Sequence, residues 1–373
     1  MGIPEKIKAI EDEIHKTQIN KATEFHIGLL KAKIARLKRE LDENTHGRIV
    51  STGGASAGFD VRKAGDATVV LIGLPSVGKS TLLNSLTNAK SRVASYQFTT
   101  LTAVPGMMDY SGSKIQILDM PGIIEGAAAG KGLGKRVLSV ARTADLVLMI
   151  LDVFQPHHLS LLKKELSEIG IKVDQKPPNV VLEKASIGGV SVNIQVPIAM
   201  TERLIKEILH VYGIHNGRLI IREPGLTDDQ LIDVLSGNRI YIPSLTVLNK
   251  IDLVNQGFLK EVESKIGTKF VPISADANVN IDALKQAIYQ QLDLIRIYLR
   301  RKTGETDYEE PLIIRNGSNV GSVCNKIHRK MTRDFKFAQV WGRSAKFGGQ
   351  KVGLDHTLID EDVLTITKKV SAF

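Results

Sequence analysis

Two short runs carry residue types whose spacing suits them to a phosphate-bearing, nitrogen-rich ligand. Residues 73–80 read Gly73-Leu74-Pro75-Ser76-Val77-Gly78-Lys79-Ser80, the pattern G-x-x-x-x-G-K-[ST]. Successive backbone N–H groups in such a loop, continued by a helix N-terminus, surround an anionic phosphate. Gly73 and Gly78 admit close backbone approach where a Cβ would intrude. Lys79 is expected to reach the β- and γ-phosphates, and the Ser80 hydroxyl to ligate Mg2+. Much later come Asn249-Lys250-Ile251-Asp252. The Asp252 carboxylate can accept from the N1–H and exocyclic N2 amine of guanine, a donor pair that adenine lacks. Asn249 can bridge to the base and back to the loop, and the Lys250 stem can cover the ring. Ser274-Ala275-Asp276 follows a further apolar run and would bring the Ala275 N–H near guanine O6. A carboxylate left unpaired by the wrong base costs several kcal/mol of discrimination. Together the runs imply GTP as the ligand.

Between them lies Asp119-Met120-Pro121-Gly122. A carboxylate at a strand end can hold Mg2+ through water, and the Gly122 N–H can bond the γ-phosphate. An Asp-x-Pro-Gly turn is common chemistry in isolation; its position downstream of a phosphate loop gives it meaning. The glycine-rich 122–134 stretch that follows suits a switch segment ordered by the γ-phosphate. Phe98-Thr99-Thr100-Leu101-Thr102 stands where a second switch segment would supply another hydroxyl to Mg2+. Two adjacent threonines leave the choice between Thr99 and Thr100 open. After Gly122 comes Ile123 and then Ile124, where Ras-like GTPases place a water-orienting glutamine. Isoleucine has no donor or acceptor, so slow intrinsic hydrolysis is expected.

The elements that must position these residues are a run of apolar strands. Ala67–Ile72 ends at Gly73 and feeds the loop, and Ser80–Leu86 reads as the helix after it. Lys114–Leu118 ends at Asp119, Leu146–Leu151 at Asp152, Ser244–Leu248 at Asn249, and Lys269–Ile273 at Ser274. Polar residues at the carboxyl ends of successive apolar strands mark where open parallel α/β sheets bind ligands. The stretch from Phe154 to Pro243 is far longer than one βαβ crossover requires. Strands at Val190–Val196 and Arg218–Ile221 and a helix at Glu202–Tyr212 point to an inserted α+β subdomain. The amino terminus shows helical periodicity over 3–43, broken at Thr23 and Gly28 into a hairpin. A helix is expected around Asp282–Leu299. Beyond it, strands at Pro311–Ile314, Asp334–Val340 and Val363–Thr367, with a helix near Val320–Thr332, form a separate carboxyl-terminal domain. The boundaries so read are an N-terminal helical hairpin over 1–46, a glycine-rich linker over 47–66, a nucleotide-binding domain over 67–295 interrupted by the insert 160–240, and a C-terminal domain over 296–373.

The 373-residue chain, 43% hydrophobic, has room for several cores. No apolar run approaches the ~18 residues of a membrane-spanning helix. The single cysteine, Cys324, excludes an internal disulfide and fits a reducing compartment, so a cytoplasmic location is expected and no membrane partner. The net charge of +10 is uneven. From Val323 to Lys351 there are eight basic residues and one acid, Asp334, which points to an anionic partner such as RNA. Lys21 to Arg39 carries six basic residues and one acid, either a solvated helix face or a second nucleic-acid contact.

With these residues in hand, the chain closely resembles the developmentally regulated GTP-binding proteins, a branch of the Obg-like GTPases. The resemblance covers nearly the whole length. It includes Glu5-Lys6-Ile7-Lys8-Ala9-Ile10-Glu11-Asp12-Glu13, Asn20-Lys21-Ala22-Thr23, Gly58-Phe59-Asp60-Val61, Leu118–Gly126, Val352-Gly353-Leu354 and Asp360-Glu361-Asp362-Val363. It implies an α/β P-loop GTPase domain interrupted by a ribosomal-protein-S5-like subdomain, and a C-terminal TGS domain of β-grasp fold. It implies Mg2+ bound by Ser80, Thr100 and Asp119, with Lys79, Thr100 and Gly122 serving hydrolysis. It also implies association with ribosomes and RNA, and a dedicated stabilising partner protein. Ser76 stands where many potassium-stimulated relatives carry a K+-ligating asparagine, so its hydroxyl is the candidate for that ion. The expected function is a GTP-hydrolysing switch acting on ribosomes. Two alternatives are an ATPase, against which intact Asn249, Lys250 and Asp252 argue, and a nucleotide-stabilised scaffold in which hydrolysis is incidental.

Overall fold

The computed structural model describes residues 2–18, 20, 23–46, 64–87, 104–120, 140–237, 239–301 and 303–369. In chain order its elements begin with helices α1 (Ile3–Lys16) and α2 (Glu24–His46), then β1 (Ala67–Ile72), α3 (Lys79–Leu86), β2 (Val104–Tyr110) and β3 (Ser113–Asp119). There follow β4 (Leu146–Asp152), α4 (His158–Glu168), β5 (Ile171–Val173), β6 (Val180–Lys184), β7 (Val190–Ile194), α5 (Glu202–Val211), β8 (Gly217–Ile221) and α6 (Asp228–Ser236). Next come β9 (Ile240–Ile242), β10 (Ser244–Asn249), α7 (Gln256–Ile266), β11 (Phe270–Pro272), α8 (Ile281–Gln291) and β12 (Leu294–Arg300). The last are β13 (Thr306–Arg315), α9 (Val320–Ile327), α10 (Arg329–Arg333), β14 (Phe335–Trp341), β15 (Gln350–Val352) and β16 (Asp362–Lys368). They group into two units, one of 1–58 with 175–241 and one of 59–174 with 242–373. Among the described residues no helix is long and apolar enough to cross a membrane.

The larger unit is built on a six-stranded sheet ordered β11-β10-β4-β1-β3-β2. All neighbours are parallel except the β2–β3 edge pair. Every residue of β1 is buried, as continuous Val/Leu/Ile runs in a sheet covered on both faces should be. From central β1 the chain pairs on one side with β3 and on the other with β4. The carboxyl ends at that divergence form the crevice where such sheets hold ligands. The insert leaves after Asp174 and the chain re-enters at Ser244, whose N–H and Oγ donate to the Asp174 carboxylate at 2.6 and 2.5 Å.

Residues 294–369 of the same unit form a second sheet, ordered β13-β12-β16-β14-β15, with one face closed by α9 and a core of Ile297, Val320, Val323, Cys324, Val340 and Leu364. Arg296 joins this sheet to the 360–361 turn. It donates to Asp360 through Nη2 at 2.8 Å and Nε at 3.2 Å, and to Glu361 at 2.8 Å. The stretch Asp282–Leu299, expected as one helix, is instead helix α8 and strand β12. Asp293 adopts a left-handed φ of 51° that ends the helix, and Leu-Ile-Arg-Ile-Tyr-Leu alternates at the strand period beyond it. The helix expected over Val320–Thr332 is two, divided at His328, which has extended backbone.

In the smaller unit, β6-β8-β7 pack against α5 and α6 around Leu204, Ile205, Ile208, Leu209, Leu219 and Leu231. Helix α2 completes that core with Ala32. Thr201 and Thr227 cap α5 and α6 through their side-chain oxygens. Gly28, expected as a break, lies inside α2. A Cβ there would come within 3.4 Å of Leu204, so the small residue serves close helix approach and not a turn. Between α1 and α2, Thr23 and Asn20 exchange side-chain and backbone hydrogen bonds. Much of the basic face of α2 is engaged within the unit: Lys31 with Asp228 and Asp229, Lys38 with Glu11, and Arg36 with Glu40 and the Val211 carbonyl. The linker read over 47–66 lies outside the described residues as far as Lys63.

Candidate nucleotide site

The loop after β1 is shaped by two residues with left-handed backbone, Ser76 at φ 62° and Gly78 at φ 92°. Gly78 is the N-cap of α3. A Cβ on it would fall 2.4 Å from Asn249 Nδ2, and one on Gly73 would fall 2.6 Å from the Ile150 carbonyl. Gly73 is therefore required by close backbone approach, and Gly78 by its left-handed conformation and by the Asn249 amide packed against it. Lys79 curls back over the loop, its Nζ donating to the carbonyls of Gly73 at 2.9 Å and Leu74 at 2.8 Å. Val77 is buried, whereas Pro75 and Ser76 are exposed at the loop's crest.

Asp119 ends β3, paired in register with Leu71 of β1. It is only 4% exposed. Its Oδ2 accepts from Ser80 Oγ at 2.9 Å, while its buried Oδ1 has no hydrogen-bond partner among the described residues. A buried carboxylate oxygen without a donor is costly, and a hard cation satisfies it. The hydroxyl–carboxylate pair is an all-oxygen donor set of the kind Mg2+ takes. Met120 is buried beside it. Residues 98–102, Pro121, Gly122, Ile123 and Ile124, expected as switch and γ-phosphate residues, lie outside the described residues.

Asn249 ties the phosphate loop to the segment around Ala275, expected to read the base. Its Nδ2 donates to the Val77 carbonyl at 2.8 Å, and its Oδ1 accepts from the Ala275 N–H at 2.9 Å. Both ends of the amide are thus spent within the protein, and the Ala275 N–H, expected near guanine O6, is held by Asn249. Lys250 has φ 68° and opens a single 3-10 turn over Ile251–Leu253 that presents exposed Asp252. The Lys250 Nζ pairs with Asp152 Oδ2 at 2.7 Å. On the other side, buried Ser274 turns the chain with Ala277, whose N–H donates to Ser274 Oγ at 3.1 Å; Asp276 is exposed. Ser85 of α3 donates to the Ala275 carbonyl at 2.9 Å. The strand ends thus bring Gly73–Ser80, Asp119, Asn249–Asp252 and Ser274–Asp276 to one edge of one sheet. Sequence reasoning placed Asp152 at this edge without giving it a partner, and passed over Ser85. Asp152 was visible as one more acid at a strand end, but Ser85 sits mid-helix with no signal.

Comparison with known proteins follows the same division. Residues 68–184 match the model of the 50S ribosome-binding GTPase domain, 187–294 the C-terminal region of the MMR_HSR1 domain, and 295–368 the TGS domain. An uncharacterized GTP-binding protein of Methanocaldococcus jannaschii is 50% identical, over 99% of this chain and 94% of the relative. A developmentally-regulated GTP-binding protein 1 homolog of Dictyostelium discoideum is 47% identical, and developmentally-regulated GTP-binding protein 2 of Homo sapiens 46%; each match covers 99% of this chain and 100% of the relative. Identity of this degree over the full length of both chains, on a phosphate loop and a carboxyl-terminal TGS domain, shows that the chain belongs to the Obg-like family of P-loop GTP-binding proteins.

Proposed function

We propose that the protein hydrolyses GTP to GDP and phosphate as a molecular switch of the developmentally regulated branch, acting on ribosomes through RNA contacts. The observation that carries the hydrolytic part is the buried Oδ1 of Asp119, without a partner among the described residues, beside the Ser80 hydroxyl at the foot of the phosphate loop. Ser80, Asp119 and Thr100 would hold Mg2+, which when bound draws negative charge from the β- and γ-phosphates. The chain's own groups do the rest. The Gly73–Ser80 amides and the α3 N-terminus fix the phosphates, and Lys79 exchanges its loop carbonyls for phosphate oxygens. Asp252 accepts from the guanine edge, and Asn249 holds the two loops at a fixed separation. Gly122 would donate its N–H to the γ-phosphate. Ile123 cannot orient water, so fast turnover requires charge supplied from elsewhere: a K+ beside Ser76, the ribosome or a partner protein. The basic 323–351 segment and the match of residues 68–184 to the 50S ribosome-binding GTPase family support a ribosomal RNA partner.

The test is phosphate release from GTP under multiple turnover, with and without ribosomes, alongside sedimentation with ribosomes under GTP, GDP and a non-hydrolysable analogue. Hydrolysis that needs Mg2+, is abolished by Asp119→Asn and is stimulated by ribosomes is the expected result. GTP binding without hydrolysis under all conditions would leave the scaffold reading in its place.

A further inference from the structure

The TGS sheet has one face closed by its core and one face open, and the open face is not inert. Arg300 of β12, Gln339 and Trp341 of β14, and Thr365 and Thr367 of β16 line a cavity of about 430 Å³, with Arg301 and Gly304 at its rim. The Arg300 guanidinium lies over the Trp341 ring at 4.6 Å and is anchored by its Nε on the Gly304 carbonyl at 3.0 Å. The indole is held from the loop as well, for a Cβ on Gly348 would come within 3.1 Å of it. Four residues from Trp341 along β14, Lys351 caps the Phe337 ring at 5.0 Å, and Phe337 stands opposite Thr367 in the register. Arg301 is exposed, with Glu305 no closer than 3.9 Å.

We propose that this face binds single-stranded RNA by stacking an unpaired base on the Arg300–Trp341 pair. This sharpens the RNA contact proposed above and rests on it for the class of partner. Guanidinium planes and aromatic faces are what unpaired bases stack on. An acidic peptide would use the charges but has no need of the planes. Arg301 takes the phosphate, while Gln339 and Thr367 offer hydrogen bonds to a base or sugar edge. Phe337 under Lys351, about 13 Å farther along the strand, makes a second station for a later base of the same strand. Two stations in line favour a polymer over a free nucleotide. Duplex RNA keeps its bases stacked on each other and is excluded from this mode.

Trp341 is the only tryptophan in the chain, so its emission reports on this face alone. Full-length protein is titrated with a single-stranded oligoribonucleotide of about ten residues, within the usual footprint of such surfaces, and binding is followed in parallel by anisotropy of labelled RNA. A saturable change in Trp341 emission is expected, matching the anisotropy curve and weakening steeply with salt. Arg300→Lys, which keeps the charge and removes the plane, should weaken binding by about fivefold or more, as should Trp341→Ala. Both variants are first checked for unchanged thermal unfolding; Arg301→Gln, at the exposed rim, is the substitute if either is not. RNA that binds by anisotropy with no change in emission and no loss in these variants overturns the proposal. So does an equal response to uridine monophosphate, to duplex RNA or to polyglutamate. Ribosome sedimentation separates this proposal from the broader one. Ribosome binding by all variants with a silent Trp341 removes the stacking site and leaves the ribosomal function. A responsive Trp341 without any ribosome binding does the reverse.

Discussion

Two sheets in the same unit use their surfaces in opposite ways. The nucleotide-binding sheet is buried on both faces: β1 and β4 are buried and, apart from Thr68, apolar up to their carboxyl ends, so the polar chemistry is left to the strand ends. The TGS sheet is buried on one face only, and the alternate residues of β12, β14 and β16 present a wet surface of arginine, aromatic, amide and hydroxyl groups. Function in the first is gathered at an edge by loops, each contiguous in sequence. Function in the second would be spread over a face by the pleat, every second residue on three strands distant in the chain. A sheet sandwiched between helices buys rigidity at its ends, whereas one left open keeps its middle for a partner.

The comparison breaks most sharply at Gly78. With φ at 92° and Asn249 Nδ2 only 2.4 Å from an added Cβ, Gly78→Ala must move the loop or the brace. We expect loss of measurable binding of a fluorescent GDP analogue, and unfolding free energy lowered by about 1–3 kcal/mol in urea titrations. Next in size is Asp252→Asn, in which an amide donates where the carboxylate accepted. Preference should move from GTP towards xanthosine triphosphate by about a hundredfold or more in competition binding, and unaltered GTP affinity would remove Asp252 from base reading. On the TGS sheet the two faces should respond differently to truncation. Val340→Ala, on the closed side, is expected to cost about 2 kcal/mol, and Thr367→Ala on the open side less than ~0.5 kcal/mol; equal costs would mean that the open face is covered. The smallest effect concerns pH. Burial works to raise the Asp360 carboxyl, but the hydrogen bonds and charge of Arg296 outweigh it and hold the group below its ordinary value. Its contribution to stability is present at pH above about 4 and fades as pH falls from there through the lowered value. Asp360→Asn should flatten the acid limb of the thermal stability profile only in that window.

What was legible in the sequence follows from the same contrast. The phosphate loop and Asn249–Asp252 could be read because each is a short unbroken string preceded by a buried strand. Edge strand β2 was not, because Pro105 and Gly106 interrupt any β signal and only pairing with β3 makes it a strand. The switch between α8 and β12 was not visible, since a half-buried strand and a half-buried helix look alike over a few residues and the break rests on the backbone of Asp293. The aromatics between 335 and 347 divide between core and surface. Phe335 is core, but Phe337 and Trp341 belong to the open face and Phe347 is exposed, a distinction that depends on which side of the pleat each residue falls. Nothing in the composition said that α2 would share a core with residues from Leu204 to Ile232.

That shared core bears on how the chain is made. Helix α2 leaves the site of synthesis with Ile27, Leu30 and Ala32, all buried in the finished protein, while α5 and α6 are still to be translated. At about 5–20 residues per second the wait is on the order of ten seconds or longer. Strand β4 likewise waits for β10, its parallel neighbour, until the whole insert has been produced. The nascent chain therefore carries an unmatched apolar helix and an unpaired strand through the same interval. Its vulnerability to aggregation and proteolysis should be greatest then, and relieved in one step when residues near 232–249 emerge.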